Sequence, residues 1–538
     1  MNSTFLHRHR PLLFALLVAL ALKATLLLAN GVPFNSDEAV VALMARHILQ
    51  GERPIFFYGQ VYLGSLDAWL IAGAFAVFGE SVLMIRLVQV TLYLGTLVTT
   101  YQLGLRIYSN RWIASVAALC LALPPVLVTL YTTATLGGYG EVLLIGNILL
   151  LLTLDLAEAE KPIVWKWLAL GLLGGLGFWG FPFIGVYLVP VVLYLLAPRR
   201  WRFFDWLVCL AGFVAGAAPW LWATLTTGGK TLAEMGGSAI AGASVSNPVF
   251  AAFQHLFYFI LLGLTVIWGL RAPWGAQFLA LPLAPFVLFI NMAVVAFVLR
   301  VIYPARPREA IWRRRWLLLG VCFTLIAAFI LTPFGADPSG RYFLPLAAPG
   351  VLLLAEMLAE LRAAKSLRQK WFANGLALGV VLFNLLGTAQ SLRAFPPGLT
   401  TQFDPVAQVD QRALPTVMRF LRAQGETRGY TNYWVEFPMA FLSDEDLLFA
   451  ARLPYHLDFS YTTRYDRYAP YSQAVAESER VAYVTTRHPA LDKRLRLSLQ
   501  ALGVSFKEAQ IGDFHIFFAL SRAVRPEEMG LGMDCCPK

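Results

Sequence analysis

Two adjacent carboxylates, Asp37 and Glu38, follow the first long apolar run of the chain. Asn35 precedes Glu38 by three residues, which is the spacing of a capping box at a helix start, and Gly51 is typical of a helix end. Between them, three apolar residues share one helical face: Val41, Met44 and Ile48. The pattern predicts a short amphipathic helix along the outer membrane surface. Acids in its first turn have two possible roles: they either only stabilise the helix through its dipole, or they act on a substrate.

Other ionisable residues stand next to apolar runs, where charge is costly and usually functional. They are Asp67, Glu141 after Gly137-Gly138-Tyr139-Gly140, Arg271, and Arg341 beside Tyr342. Carboxylates and arginines that face one outer cavity would suit a reaction on a phosphate-linked lipid. Arginine forks neutralise a phosphate, and a carboxylate accepts the proton of an attacking hydroxyl.

The elements that position these residues are membrane helices. The chain has 538 residues, of which 58% are hydrophobic and 14% charged, whereas a typical soluble domain is about 25% charged. The net charge of +11 is spread between apolar segments without a basic, aromatic-interleaved face, which argues against a nucleic-acid partner. The five cysteines lack metal-ligand spacing. About eleven spans are predicted: 11–29, 84–105, 112–131, 141–157, 166–181, 183–197, 205–226, 276–300, 316–333, 342–361 and 371–391.

The run 250–270 decides the topology. If it does not cross, the arginine- and lysine-rich loops all fall on the cytoplasmic side, as the positive-inside rule favours. The amino terminus is then cytoplasmic, and the first loop 31–83 and the segment after the last span lie outside. We therefore predict a transmembrane domain over 1–394 and an extracytoplasmic domain over 395–538 in a plasma membrane.

The carboxyl-terminal segment alternates helical and strand patterns, which predicts a small α/β domain. A helix is expected over 410–424, and strands over 430–433, 447–451, 481–485 and 514–520. The acidic run 443–446 is interpreted as a solvated loop rather than a metal site. His47 is interpreted as solvated, and nothing in the spacing of 462–468 demands an acceptor site.

Several of these phrases resemble the GT-C glycosyltransferases. The similarity is to the branch that includes the protein O-mannosyltransferases and the aminoarabinose (lipid A) transferases. It covers roughly residues 10–360 and rests on phrases whose order matches the family: Asn35-Ser36-Asp37-Glu38-Ala39, Gly79-Glu80-Ser81, Arg86-Leu87, Tyr101-Gln102-Leu103-Gly104, Arg111-Trp112, Pro124-Pro125 and Arg341-Tyr342. The chain departs from it at 58–67, where many relatives carry a Lys/His-Pro-Pro phrase. No β-trefoil insertion is visible, which favours a bacterial enzyme.

The resemblance implies a role for each candidate residue. Asp37 would be the base that activates the acceptor, and Glu38 a supporting acid. Arg341 and Tyr342 would hold the donor phosphate, and Arg86 would tie the first loop to the second span. Further substrate-binding candidates are Glu141, Asp67 and Tyr139. Some relatives use a divalent metal such as Mg or Mn, but the sequence shows no ligand set.

The implied function is inverting transfer of a sugar from a polyprenyl-phosphate donor to a lipid, glycan or protein acceptor on the extracytoplasmic face. A transporter or flippase, or a non-catalytic binder of lipid-linked sugars, is the alternative. Transporters place polar residues near mid-membrane, often in two related halves. Here they concentrate at one face and no internal repeat is visible, which favours an enzyme.

Overall fold

The computed structural model describes residues 3–161, 163–197, 202–238, 247–302, 310–337, 339–363, 366–394 and 398–534. The chain divides into two compact units. Unit 1 comprises Met1–Gly31, Tyr62–Asp67 and Arg86–Arg393, and unit 2 comprises Val32–Val61, Ala68–Ile85 and Ala394–Lys538. The sequence places the loop 31–83 in the membrane domain, whereas the structure groups most of this loop with the carboxyl-terminal segment.

Helices make up most of the described chain. In chain order they are: α1 Ser3–Leu28, α2 Ser36–Leu49, α3 Leu66–Phe78, α4 Val82–Tyr108, α5 Arg111–Ala122, α6 Val126–Tyr131, α7 Tyr139–Glu158, α8 Val164–Gly180, α9 Gly185–Leu196, α10 Phe203–Gly216, α11 Ala218–Thr226, α12 Lys230–Ala233, α13 Pro248–Tyr258, α14 Leu264–Ile267, α15 Ala284–Ile302, α16 Ala310–Leu331, α17 Ala347–Ala363, α18 Leu367–Arg393, α19 Leu414–Gln424, α20 Tyr433–Leu442, α21 Ala469–Ala476 and α22 Pro489–Ala501.

The chain is a multi-pass membrane protein, as predicted. Within the described ranges, eight helices are long and apolar enough to cross a membrane, or nine if the bent pair α10–α11 forms one span. The eight are His9–Leu28, Val82–Tyr108, Tyr139–Glu158, Pro248–Ile267, Leu281–Ile302, Ile311–Leu331, Arg341–Ala363 and Leu367–Arg393.

This set differs from the eleven predicted spans for physical reasons. The predicted span 112–131 is broken into α5 and α6, because Pro124 and Pro125 remove helical hydrogen bonds. Helix α8 has only 17 residues. Pro248–Ile267, predicted not to cross, has the length and composition of a span, since a π turn over Phe259–Gly263 keeps it helical. The prediction of which loops lie on which side of the membrane is unchanged.

Glycines bring two helices of unit 1 into close contact. On α8, a Cβ at Gly171 would lie 1.9 Å from the carbonyl oxygen of Cys209, and one at Gly175 would lie 2.2 Å from that of Phe213. On α10, a Cβ at Gly216 would lie 2.3 Å from the Leu172 carbonyl oxygen. Small residues spaced by four thus let the two backbones meet, the usual packing where lipid removes the hydrophobic driving force.

Unit 2 contains a five-stranded sheet in the order β2-β1-β3-β5-β4. The strands are β1 Arg428–Thr431, β2 Leu448–Ala451, β3 Ala482–Thr486, β4 Lys507–Ile511 and β5 Phe514–Phe518. β1 pairs in parallel with β2 and β3, and β5 pairs antiparallel with β3 and β4. The predicted small α/β domain is therefore confirmed.

A continuous apolar core supports this sheet. It combines one face of α19 with side chains from α20 and from strands β2, β3 and β5, including Val417, Leu421, Val435, Phe449 and Ile516. The predicted helix 410–424 is a 3-10 turn followed by α19, which ends at Gly425 with φ +69°. Helix α20 also packs against α2, so the first loop and the carboxyl-terminal segment share one folded unit.

Candidate active site

Helix α2 presents the two predicted acids differently. Its cap is as predicted: the Asn35 side chain accepts from the backbone N–H of Glu38 at 3.2 Å, and Gly51 follows the helix with φ +113°. The Glu38 side chain is fully buried, whereas the Asp37 side chain retains 28% exposure. Of the two, Asp37 is therefore the carboxylate that a substrate can reach.

Asp37 is held through one of its oxygens by the carboxyl-terminal segment. The Tyr433 hydroxyl donates to Asp37 Oδ1 at 2.6 Å, and Arg467 Nη2 lies 3.8 Å from the same oxygen. Burial raises the pKa of Tyr433 well above its ordinary value, so this hydroxyl keeps its proton and acts as the donor. Both of these contacts are with Oδ1, and no hydrogen bond to Asp37 Oδ2 is found among the described residues. One carboxylate oxygen is thus anchored and the other is open.

The Arg467 guanidinium is fixed between aromatic rings. It lies 5.1 Å from the ring centre of Phe57 and 4.7 Å from that of Tyr433, within the range of cation–π attraction. The backbone of Gly59 passes close beside it: a Cβ there would lie 2.9 Å from Arg467 Cγ, and Gly59 has φ +73°. Only glycine allows this approach without a shift of the arginine.

The neighbouring residue Tyr468 fastens the same segment to the first loop. Its ring stacks on His47 and Tyr58, with centroid separations of 4.8 and 4.6 Å. Its hydroxyl donates to Glu52 Oε1 at 2.7 Å, and the Tyr58 hydroxyl donates to Oε2 at 2.5 Å. Burial alone would raise the pKa of Glu52, but these two donors outweigh it and lower the pKa.

Ion pairs hold the last turn of α2 in place. Arg46 Nε contacts Glu80 Oε2 at 2.7 Å, and its Nη2 contacts Asp444 Oδ1 at 3.1 Å. His47 Nε2 lies 2.9 Å from Glu445 Oε1, and His47 is only 3% exposed. The interpretation of His47 as solvated is therefore wrong. The acidic run 443–446 is not a plain solvated loop either, because two of its carboxylates pair with α2.

Unit 1 contains the buried carboxylates Asp67 and Glu141. The Thr135 hydroxyl donates to Asp67 Oδ2 at 3.1 Å, and Glu141 is close enough to Asp67 and Gln89 to interact with both. Asp67 and Glu141 are 1% and 2% exposed, and Arg86 is buried as well. The predicted acids Asp67 and Glu141 are thus brought together inside the helical unit.

Arg341 lies at the start of a span in aromatic surroundings. Its Nη2 contacts Asp337 Oδ2 at 2.6 Å, its guanidinium lies 5.1 Å from the Tyr342 ring, and its buried Nε has no hydrogen-bond partner. Six aromatic rings contact one another in succession, with 5.0–5.7 Å between neighbouring ring centres: Tyr131, Tyr139, Phe181, Phe183, Tyr342 and Phe334. An arginine with one donor that lacks a partner and a 42% exposed side chain suits an anionic group.

The sequence did not single out Tyr433 as a site residue. It stands in an apolar helix, with no local pattern that distinguishes it from a core tyrosine. Arg467 lies within the segment 462–468, where spacing alone favoured no role. The described residues contain no group of three or more His, Cys, Asp or Glu side chains that could hold a metal ion. Metal dependence stays a prediction of the resemblance. Cys535 and Cys536 lie outside the described residues.

Comparison with known proteins supports the resemblance. Residues 65–222 match the family model described as dolichyl-phosphate-mannose-protein mannosyltransferase. The comparison with curated proteins found no match.

Among solved structures, apo ArnT from Cupriavidus metallidurans is similar with a TM-score of 0.54 and 13% identity over 89% of this chain and 92% of that one. ArnT from the same organism bound to undecaprenyl phosphate gives 0.53 and 13% over 89% and 93%. The Archaeoglobus fulgidus oligosaccharyltransferase gives 0.49 and 16% over 94% and 72%.

The resemblance to the GT-C group is thereby confirmed: the fold is shared with ArnT, and part of the chain matches a glycosyltransferase family model. That partial family match agrees with the glycosyltransferase activity that the resemblance implies.

Proposed function

We propose that this protein transfers a sugar from a polyprenyl-phosphate-linked donor to an acceptor hydroxyl, with Asp37 as the general base. The observation that carries the proposal is the state of the Asp37 carboxylate, which has one anchored and one open oxygen at the start of a helix. A carboxylate held in this way can accept a proton along a defined direction.

The reaction is a single displacement. The acceptor oxygen attacks the anomeric carbon while its proton passes to Asp37 Oδ2. The new carbon–oxygen bond forms as the bond between the anomeric carbon and the phosphate oxygen breaks, and polyprenyl phosphate leaves with the bonding electrons. Attack from the side opposite the leaving group inverts the anomeric configuration.

The donor's phosphate is assigned to Arg341. This arginine has a donor without a partner at Nε and a 42% exposed side chain, and Tyr139 and Tyr342 lie close enough to interact with it. Arginine forks recognise phosphate oxygens well. A structure of ArnT, which shares the fold, is described as bound to undecaprenyl phosphate, and this supports a polyprenyl-phosphate donor here. Glu38, Arg86, Asp67 and Glu141 stay candidates for supporting the site.

The test is sugar release from a panel of polyprenyl-phosphate sugars by purified protein in detergent. We expect Asp37→Asn to abolish turnover and to retain donor binding. Asp446→Asn is the matched control, because Asp446 is a half-exposed partner of Arg422 in the same unit. Turnover that survives in Asp37→Asn would refute the role of Asp37. Binding without turnover of any donor by the wild type would favour a flippase or a non-catalytic binder, which transport assays in liposomes then separate.

A further inference from the structure

We propose that Tyr433 and Arg467 are positioning residues for Asp37, so that the carboxyl-terminal segment completes the active site instead of serving as an accessory domain. This inference rests on the proposed function. The Tyr433 hydroxyl and the Arg467 guanidinium both approach the same oxygen, Asp37 Oδ1, at 2.6 and 3.8 Å. Both groups therefore stabilise one orientation of the carboxylate and leave Oδ2 free for the acceptor.

Tyr433 itself is held from several sides. It opens α20, whose cap Asn432 accepts from the backbone N–H of Trp434 at 3.0 Å. The Ser36 hydroxyl on α2 donates to the Tyr433 carbonyl oxygen at 2.5 Å, one residue before Asp37. The side chain of Tyr433 is 3% exposed. The donor and the carboxylate are thus fixed relative to each other through both side chain and backbone.

Arg467 is held equally firmly. The rings of Phe57 and Tyr433 lie against its guanidinium, and the side chain is only 14% exposed. The next residue, Tyr468, is stacked on His47 and hydrogen-bonded to Glu52. An arginine restrained on this many sides has lost its side-chain freedom before any substrate arrives. It therefore acts as a fixed positive charge beside Asp37.

These features assign an effect on the chemical step. A general base must point at the proton that it removes, and a small displacement costs rate without costing affinity. Tyr433 is too buried to touch a substrate, so its removal should change kcat rather than the KM for the donor. If Arg467 instead bound the donor phosphate, its replacement would mainly raise KM.

The chain offers a close control for the tyrosine. Tyr483 on β3 is fully buried, and its hydroxyl donates to the carbonyl oxygen of Val524 at 2.6 Å, the same distance as that from Tyr433 to Asp37. Tyr433→Phe and Tyr483→Phe each remove one buried hydroxyl from unit 2. They should lower stability by similar amounts, but only the first removes a partner of Asp37.

The experiment compares steady-state kinetics of the wild type, Asp37→Asn, Tyr433→Phe, Tyr483→Phe, Arg467→Gln and Arg467→Lys on the donor that the wild type turns over. We expect Tyr433→Phe to lower kcat by roughly 10- to 100-fold with donor KM within about twofold, the loss typical of one hydrogen bond to a charged group. Tyr483→Phe should stay within about threefold of the wild type. Arg467→Gln should also lower kcat, and Arg467→Lys should recover part of it.

Two outcomes would overturn the inference while leaving the proposed function intact. One is equal kcat in Tyr433→Phe and Tyr483→Phe, and the other is a rise of donor KM as the main effect in Arg467→Gln. Failure of the proposed function has a different signature, because Asp37→Asn would then keep its turnover.

Discussion

Replacement of Arg46 by alanine should release α2 from its place in unit 2. Arg46 is 7% exposed and forms the link between the last turn of α2 and two other segments. It contacts Glu80 at 2.7 Å, Asp444 at 3.1 Å and Glu445 at 3.7 Å. It also donates to the Phe441 carbonyl oxygen at 3.3 Å and lies 4.7 Å from the centre of the Phe441 ring. All five interactions disappear in Arg46→Ala.

The cost can be worked out contact by contact. The Asp444 side chain is 91% exposed, so that pair contributes close to nothing. The pair with Glu445 is long, at 3.7 Å, and its carboxylate oxygen keeps His47 as a partner at 2.9 Å, so it also adds little. The half-buried pair with Glu80 is a short charged hydrogen bond, discounted for solvent to about 1.5 kcal/mol. The lost bond to the Phe441 carbonyl and the lost ring contact add about 1.5 kcal/mol together. The sum is about 3 kcal/mol for the opening of α2.

Hydrogen exchange followed by mass spectrometry measures this opening directly. An easier opening by about 3 kcal/mol corresponds to roughly 100-fold faster exchange of α2 amides, with peptides from β3 as the internal reference. Arg53→Ala is the control, because Arg53 is exposed, donates to the nearby carbonyl oxygens of Ile48 and Glu52, and has a distant ring contact, 5.6 Å from the centre of Trp69. It should change α2 exchange by no more than about twofold. Similar exchange in the two variants would refute the claim that Arg46 anchors the helix.

Three further predictions concern stability, measured as thermal unfolding in detergent. Burial, and then the nearby Asp466, raise the pKa of Glu436. Above the ordinary pKa of a glutamate, the folded protein therefore keeps a proton that the unfolded chain releases. The free energy of unfolding should fall as the pH rises from about 5, by at most ~1.4 kcal/mol per pH unit. Glu436→Gln should remove this slope, and parallel curves for the two proteins would contradict it. Lys23, buried in α1, donates to the Thr132 and Thr133 hydroxyls and to the Thr129 carbonyl oxygen. Both hydroxyls also donate to carbonyl oxygens of α6, so these groups keep partners without the lysine. Lys23→Met should therefore be tolerated to within about 1 kcal/mol, and a larger loss would show that the lysine is needed for folding. Gly175→Ala should lower the free energy of unfolding by about 1–3 kcal/mol, because its Cβ would overlap the Phe213 carbonyl oxygen. Gly185→Ala is the control and should be neutral, because a Cβ there meets open space. Equal effects of the two substitutions would show that the glycine contact is not tight.

Local structure around the acids was predictable because its signals are local. The side chain of Asn35 caps α2 and a left-handed glycine follows the helix, as the spacing indicates. The four predicted strands of the carboxyl-terminal segment are present within two residues at each end. The missed strand β4 reads Lys507-Glu508-Ala509-Gln510-Ile511. It is a solvent-exposed edge strand with no apolar alternation to reveal it.

The surroundings of Asp37 were not predictable, because they come from contacts between distant parts of the chain. Nothing near Tyr433 marks it as the partner of an acid 396 residues earlier. His47 has the same difficulty: its helical position suggested solvent, and only the fold brings Glu445 to it. Charge pairs of this kind have no signature in a single sequence, since both partners look like ordinary surface residues until the segments meet.

Unit 2 joins early and late parts of the chain, so its active site is assembled in the order in which these parts are synthesised. Asp37 leaves the ribosome early, but the tyrosine that donates to it follows 396 residues later. At about 5–20 residues per second, the acid waits roughly 20–80 s for this partner. During that interval helices of unit 1 are made and inserted, while the acid lacks the donor that orients it. A nascent or truncated chain can therefore occupy the membrane with a carboxylate that lacks its partners, and competence arrives only after Tyr433 and Arg467 have been made.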